Sequence, residues 1–173
     1  MVGDPDESFI LRGVSQGFDI IDPGATVLEA TATNYKSAVG RENFAMVDNQ
    51  VKVELAEGRY VKVESKPKIV SALGAIPKET GGIRLIHDCS RPFGKAVNDY
   101  VEIDSFSFQT VDEALTLVSP GAFCAKIDLK NAYRSVPISK ESQSVTGLVW
   151  PIDGEDTYLV DTRLPIYPDS NKS

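Results

Sequence analysis

The chain has 173 residues, 42% of them hydrophobic, and a formal net charge of -7 with a pI near 4.7. That length and content suffice to bury one hydrophobic core, while the acidic sum argues against a protein that coats nucleic acid by bulk attraction. No apolar run reaches the roughly 18 residues needed to cross a bilayer, and the opening stretch MVGDPDESF lacks the basic-then-apolar pattern of a secretory signal, so the sequence predicts a soluble, intracellular protein of the cytoplasm or nucleus.

The acidic sum hides an uneven distribution. Between Arg59 and Lys95 stand eight basic and three acidic residues, a local excess of +5 that leaves -12 on the remainder. A basic segment inside an acidic chain fits a localised phosphate-binding surface, and it fits a solvated loop equally well. The two cysteines, Cys89 and Cys124, fall in predicted strands without CxxC spacing, and His87 is the single histidine. Free buried thiols follow, rather than a disulfide or zinc site.

In chain order, residues 1–22 read as a flexible arm, with Asp4-Pro5-Asp6 as a breaker and Gly13 and Gly17 weakening any helix. Asp22-Pro23-Gly24 is a turn, and Val27 to Tyr35 carries no firm pattern. Asn43 to Glu57 predicts a helix, because Phe44, Val47, Val51 and Leu55 recur on one face and Gly58 stands at the cap position. Tyr60 to Val63 and Ile69 to Ile76 read as extended. The Gly81-Gly82 turn then joins the second of these to Ile83–Asp88 in an antiparallel hairpin, with Lys78 near its tip and Arg84 just inside its second arm.

Further on, Thr110 to Glu113 has the form of a capping box, and Val111, Ala114, Leu115 and Val118 make a helical stripe that Pro120-Gly121 ends. Phe123, Ala125 and Ile127 alternate, which predicts a buried strand delivering Asp128 to its end, followed by a tight turn presenting Tyr133. Val145 to Trp150 and Thr157 to Leu164 read as a second hairpin, and residues 166–173 as a frayed tail. The fold class is α+β, with antiparallel strands covered by helices on one face.

Two motifs carry a resemblance. Ile127-Asp128-Leu129, Ala132-Tyr133 and Val136-Pro137 are similar to the first metal-binding motif of reverse transcriptases, and the run from Lys78 through Gly81, Gly82, Arg84, Leu85, Ile86 and His87 to Pro92, Gly94, Val97, Asn98 and Asp99 resembles their fingers hairpin. The combination looks most like the enzymes of tyrosine-recombinase (DIRS-type) retrotransposons. The resemblance spans roughly Phe9 to Pro165 and is strongest from Leu73 to Pro137.

The resemblance implies the fingers and early palm of a right-hand RNA-directed DNA polymerase over residues 23–165. Its partners would be a deoxynucleoside triphosphate and an RNA/DNA template-primer, and its cofactor Mg2+. Asp128 becomes the catalytic carboxylate and a metal ligand, and the Leu129 carbonyl a second ligand to the ion. Lys78 and Arg84 become the triphosphate cations, with Arg84 favoured for its planar fork. Tyr133 takes the place that packs under the sugar and leaves no room for a 2' hydroxyl. His87 and Asp88 are read as structural supports.

The pattern also breaks. Ile166 to Ser173 stand where the family continues into Phe-Gly and a helix, and no Asp-Asp pair occurs, so the aromatic-x-Asp-Asp turn is missing. With one carboxylate the site should hold Mg2+ weakly. A truncated polymerase, inactive alone, is therefore expected, with an exposed sheet edge over Val145 to Leu164. A non-catalytic nucleic-acid-binding or interaction module of the same fold is the alternative.

Overall fold

The computed structural model describes residues 5–22, 24–101, 109–129 and 131–165. In chain order these form α1 (Glu7–Gln16), β1 (Ala30–Thr31), α2 (Lys36–Val39), α3 (Phe44–Ala56), β2 (Tyr60–Lys62), β3 (Ile69–Val70), β4 (Ala72–Pro77) and β5 (Ile83–Asp88). After a 3-10 turn at Val97–Tyr100 come α4 (Val111–Thr116), α5 (Ala132–Ser135), β6 (Gly147–Ile152) and β7 (Glu155–Asp161).

Helix α3 forms where the apolar spacing predicts it. Val47 and Val51 are fully buried, and Phe44 stacks on the Trp150 ring at 5.2 Å. Gly58, at φ +68°, takes the left-handed conformation that ends the helix, and Arg59 N donates back to Glu54 O at 2.9 Å. Against α3 lie Tyr60 of β2, Leu73 and Ala75 of β4, Leu148 and Trp150 of β6 and Leu159 of β7, which together make the main core.

The extended run from Ile69 to Ile76 divides at Ser71, because its two halves serve different sheets. Its first half, β3, joins a five-stranded sheet of order β1-β3-β6-β7-β2, while β4 pairs antiparallel with β5 over six positions from Ala72↔Asp88 to Pro77↔Ile83. The five-stranded sheet is mixed: β1-β3 and β3-β6 run parallel, and β6-β7 and β7-β2 antiparallel. Parallel pairing was not visible in the sequence, since β1 and β3 are two-residue strands too short to show a pattern.

Gly147 opens β6 at a close approach: a Cβ there would stand 2.4 Å from the Ile69 carbonyl oxygen. Only a residue without a side chain lets β6 come in beside β3.

Three expectations change. Val145 to Leu164 is no free edge, because β6 lies between β3 and β7, and β7 between β6 and β2. The unpaired stretch is Ala122 to Leu129, which forms no strand and stands exposed. No neighbouring strand among the described residues completes its ladder, so its alternation has nothing to pack on. Cys124 is accordingly exposed, while Cys89 is buried as expected. Within residues 5–22 α1 forms, and Phe18 bridges to Ile138. The expected tail, residues 166–173, lies outside the described residues.

Candidate nucleotide and metal site

The β4-β5 hairpin places two cations by its register. Arg84 sits opposite Ile76, and Lys78 begins the connecting loop, where Lys78 N donates to Gly82 O and Gly81 N to Lys78 O, both at 3.0 Å. Gly81 and Gly82 take φ +87° and +80°, which lets the loop reverse without strain. Both cations are exposed at their tips, on a scaffold of paired backbone.

They line one side of a pocket of about 280 Å³. Its other wall comes from the turn that follows Asp128: Asn131, left-handed at φ +55°, and Arg134 on α5. Lys78 and Arg84 thus share a pocket with Asn131 and Arg134 of that turn. Asp128, Leu129 and Tyr133 are not among the lining residues; Leu129 is 70% and Tyr133 58% exposed.

The pocket floor is a charge network that the sequence reading missed. Arg134 Nη1 donates to Asp161 Oδ2 at 2.5 Å and Nη2 to Glu54 Oε2 at 2.6 Å. Glu54 also accepts from Arg59 Nε at 2.6 Å and Gln50 Nε2 at 2.8 Å. Burial pushes the Glu54 carboxyl up, yet the hydrogen bonds from Arg59 and Arg134 outweigh it and hold the group below its ordinary value. Burial likewise opposes the Arg134 charge, but Asp161, together with Tyr60 and Glu54, outweighs it and raises its pKa. Tyr60, beside the same groups, has its phenol pushed well up, first by burial and then by Asp161.

A signal for this network was present. Glu54 continues the spacing of Val47 and Val51 on the buried face of α3, and Asp161 shares a strand face with Leu159. A carboxylate on an apolar stripe requires a buried partner. His87 is buried and also lines the pocket, with Nε2 3.3 Å from Gly147 O and Nδ1 3.7 Å from Asp161 Oδ2. Asp88 accepts from Tyr35 Oη and from the Ser90 amide and hydroxyl; burial raises its pKa, and these bonds bring it below the ordinary value. This ties the end of β5 in place.

Asp128 and the Leu129 carbonyl are oxygen donors, the chemistry that Mg2+ accepts, but they are only part of the roughly six ligands the ion takes. Among the described residues no three His, Cys, Asp or Glu side chains gather into a metal cage.

No protein-family model matches the sequence, and no curated protein matches it. Solved structures are. The foamy viral protease-reverse transcriptase in complex with dsDNA superposes with a TM-score of 0.61 at 23% identity, over 85% of this chain and 28% of that one. Native prototype foamy virus protease-reverse transcriptase gives 0.60 at 20% identity, over 85% and 18%. The foamy viral enzyme in complex with an RNA/DNA hybrid gives 0.55 at 22% identity, over the same shares. This chain therefore spans less than a third of the length of these proteins, and its fold is a reverse-transcriptase-like α+β partial domain.

Proposed function

We propose that this chain is the fingers and early-palm part of an RNA-directed DNA polymerase, of a DIRS-type retrotransposon by its hairpin motif, acting inside the cell. Lys78 and Arg84 hold the triphosphate of a deoxynucleotide. Tyr133 packs under its sugar, and Asp128 with the Leu129 carbonyl holds Mg2+. When bound, the ion would lower the cost of charge on the attacking 3' oxygen and the departing pyrophosphate. The protein's own part is to fix the nucleotide from two sides.

The observation that carries this reading is the shared pocket. Two cations on a paired hairpin face the turn that begins three residues after Asp128, across a space lined by both. Foamy viral proteins of similar fold were solved on dsDNA and on an RNA/DNA hybrid, which supports a template-primer as the partner of this chain.

Because no adjacent aspartate pair occurs in the sequence, the isolated chain binds without extending a primer. Titration with a deoxynucleoside triphosphate and Mg2+ tests the reading: Arg84→Ala should weaken binding about tenfold or more, the worth of a hydrogen bond to a charged group. Unchanged affinity contradicts it. The alternative, a non-catalytic nucleic-acid-binding module, predicts no nucleotide binding. Duplex binding in that case persists with a log-log salt slope near -0.9 per phosphate contact.

A further inference from the structure

The stretch leading to Asp128 has little to hold it. Helix α4 buries none of its residues, and Phe123, Ile127 and Leu129 stand in solvent. Downstream, by contrast, the chain is tied: Ile138 N donates to Thr162 O, and Leu164 N to Val136 O, both at 3.0 Å. Between these lies the turn Asn131 to Ser135. Arg163 Nη1 reaches its Ser135 carbonyl at 3.3 Å in an exposed setting. Arg134 is the inward tie, with its side chain 9% exposed.

We propose that Arg134 is a positioning residue, a two-armed pin that fixes the turn and with it the placement of Asp128 and Leu129, which stand just before it in the chain. One arm of its guanidinium grips Asp161 on β7 and the other Glu54 on α3, while Nη1 also donates to Leu164 O at 3.3 Å. Its guanidinium carbon lies 5.6 Å from the Tyr60 ring centroid. Because the two carboxylates belong to different elements, the planar fork sets the turn's direction as well as its distance. A lysine keeps the charge but offers one point donor, and loses that direction. Glu54 is anchored independently by Arg59 and Gln50, and Asp161 by the Arg163 amide at 3.0 Å. The sockets therefore survive when the pin changes.

The pinning stands on this geometry alone; its effect on metal binding rests on the proposed nucleotide site. The test uses Arg134→Lys and Arg134→Gln in the whole chain, with amide hydrogen exchange and with Mn2+ alone as the probe, read by water-proton relaxation. In Arg134→Lys the amides of residues 131–136 should exchange about tenfold faster while β6 and β7 keep their protection. Mn2+ affinity should fall at least about threefold toward that of Asp128→Asn. Arg134→Gln should enlarge both effects; if it fails to fold, Arg134→Lys decides. Unchanged exchange in Arg134→Lys overturns the pin. Faster exchange with wild-type Mn2+ affinity overturns its role in placing Asp128. If wild type and Asp128→Asn bind Mn2+ alike, it is the nucleotide-site reading that fails, and exchange still decides the pin.

Discussion

Strand β5 and the run Phe123 to Asp128 are comparable as sequences, IRLIHD and FCAKID, each six residues long, each opening on an apolar residue and ending in aspartate. Their fates differ. Strand β5 pairs with β4 along its whole length and ends with Ile86, His87 and Asp88 buried. In the second run Phe123 is 104% and Ile127 86% exposed, and no strand forms. Alternation supplies a face to bury, but a neighbouring backbone must complete the hydrogen-bond ladder before that face is worth burying. The β4-β5 hairpin carries its own partner one turn away, whereas the aspartate run has none among the described residues.

The comparison can be broken most sharply at the pin between the two regions. Arg134→Met leaves Asp161 and Glu54 short of a buried cation and should cost about 3–5 kcal/mol, read by urea unfolding through the fluorescence of Trp150, the single, fully buried tryptophan. A loss under about 1 kcal/mol would mean that the network is already solvated.

Matched truncations come next. Leu73→Ala, at a fully buried β4 position facing the core, should cost about 2–5 kcal/mol. Phe123→Ala should stay within about 0.5 kcal/mol. Equal costs would show that the aspartate run is packed after all.

Acid should separate the regions too. The folded Glu54 and Asp88 carboxyls both titrate below their ordinary values, so their contribution is complete above pH of about 4.5 and is lost as pH falls through the lowered values. Unfolding free energy should therefore drop below that pH, and Glu54→Gln should flatten the slope. A steeper slope in the variant would contradict the assignment. The smallest effect is expected at α4, where Thr110 Oγ1 accepts from the Glu113 amide at 3.2 Å. Thr110→Ala should weaken that helix by about 1 kcal/mol in the exchange of residues 111–116, with the global midpoint unmoved.

Legibility followed the same division. Helix α3 and the β4-β5 hairpin were readable because their periodicities and their turn glycines are local signals. Helix α4 was readable from Thr110 and Glu113, although its apolar stripe faces solvent among the described residues. The parallel β1-β3-β6 pairing was not, since two-residue strands hold no period. Of the candidate site, the hairpin register that carries Lys78 and Arg84 was readable, whereas the pocket they share with Asn131 and Arg134 was not. The floor stayed hidden because Arg134, Glu54 and Asp161 lie 27 and 80 residues apart as hydrogen-bonded pairs, and buried charge pairing across such separations leaves only the faint trace of a carboxylate on an apolar face.

The most direct test of the site is amide chemical-shift mapping of the whole chain with a deoxynucleoside triphosphate and Mg2+. The account predicts that Lys78, Gly82 and Arg84 shift together with Asn131 and Ala132, in one saturable titration that Arg84→Ala weakens about tenfold or more. Shifts confined to the hairpin, with the turn silent, would contradict a site built from both walls of the pocket.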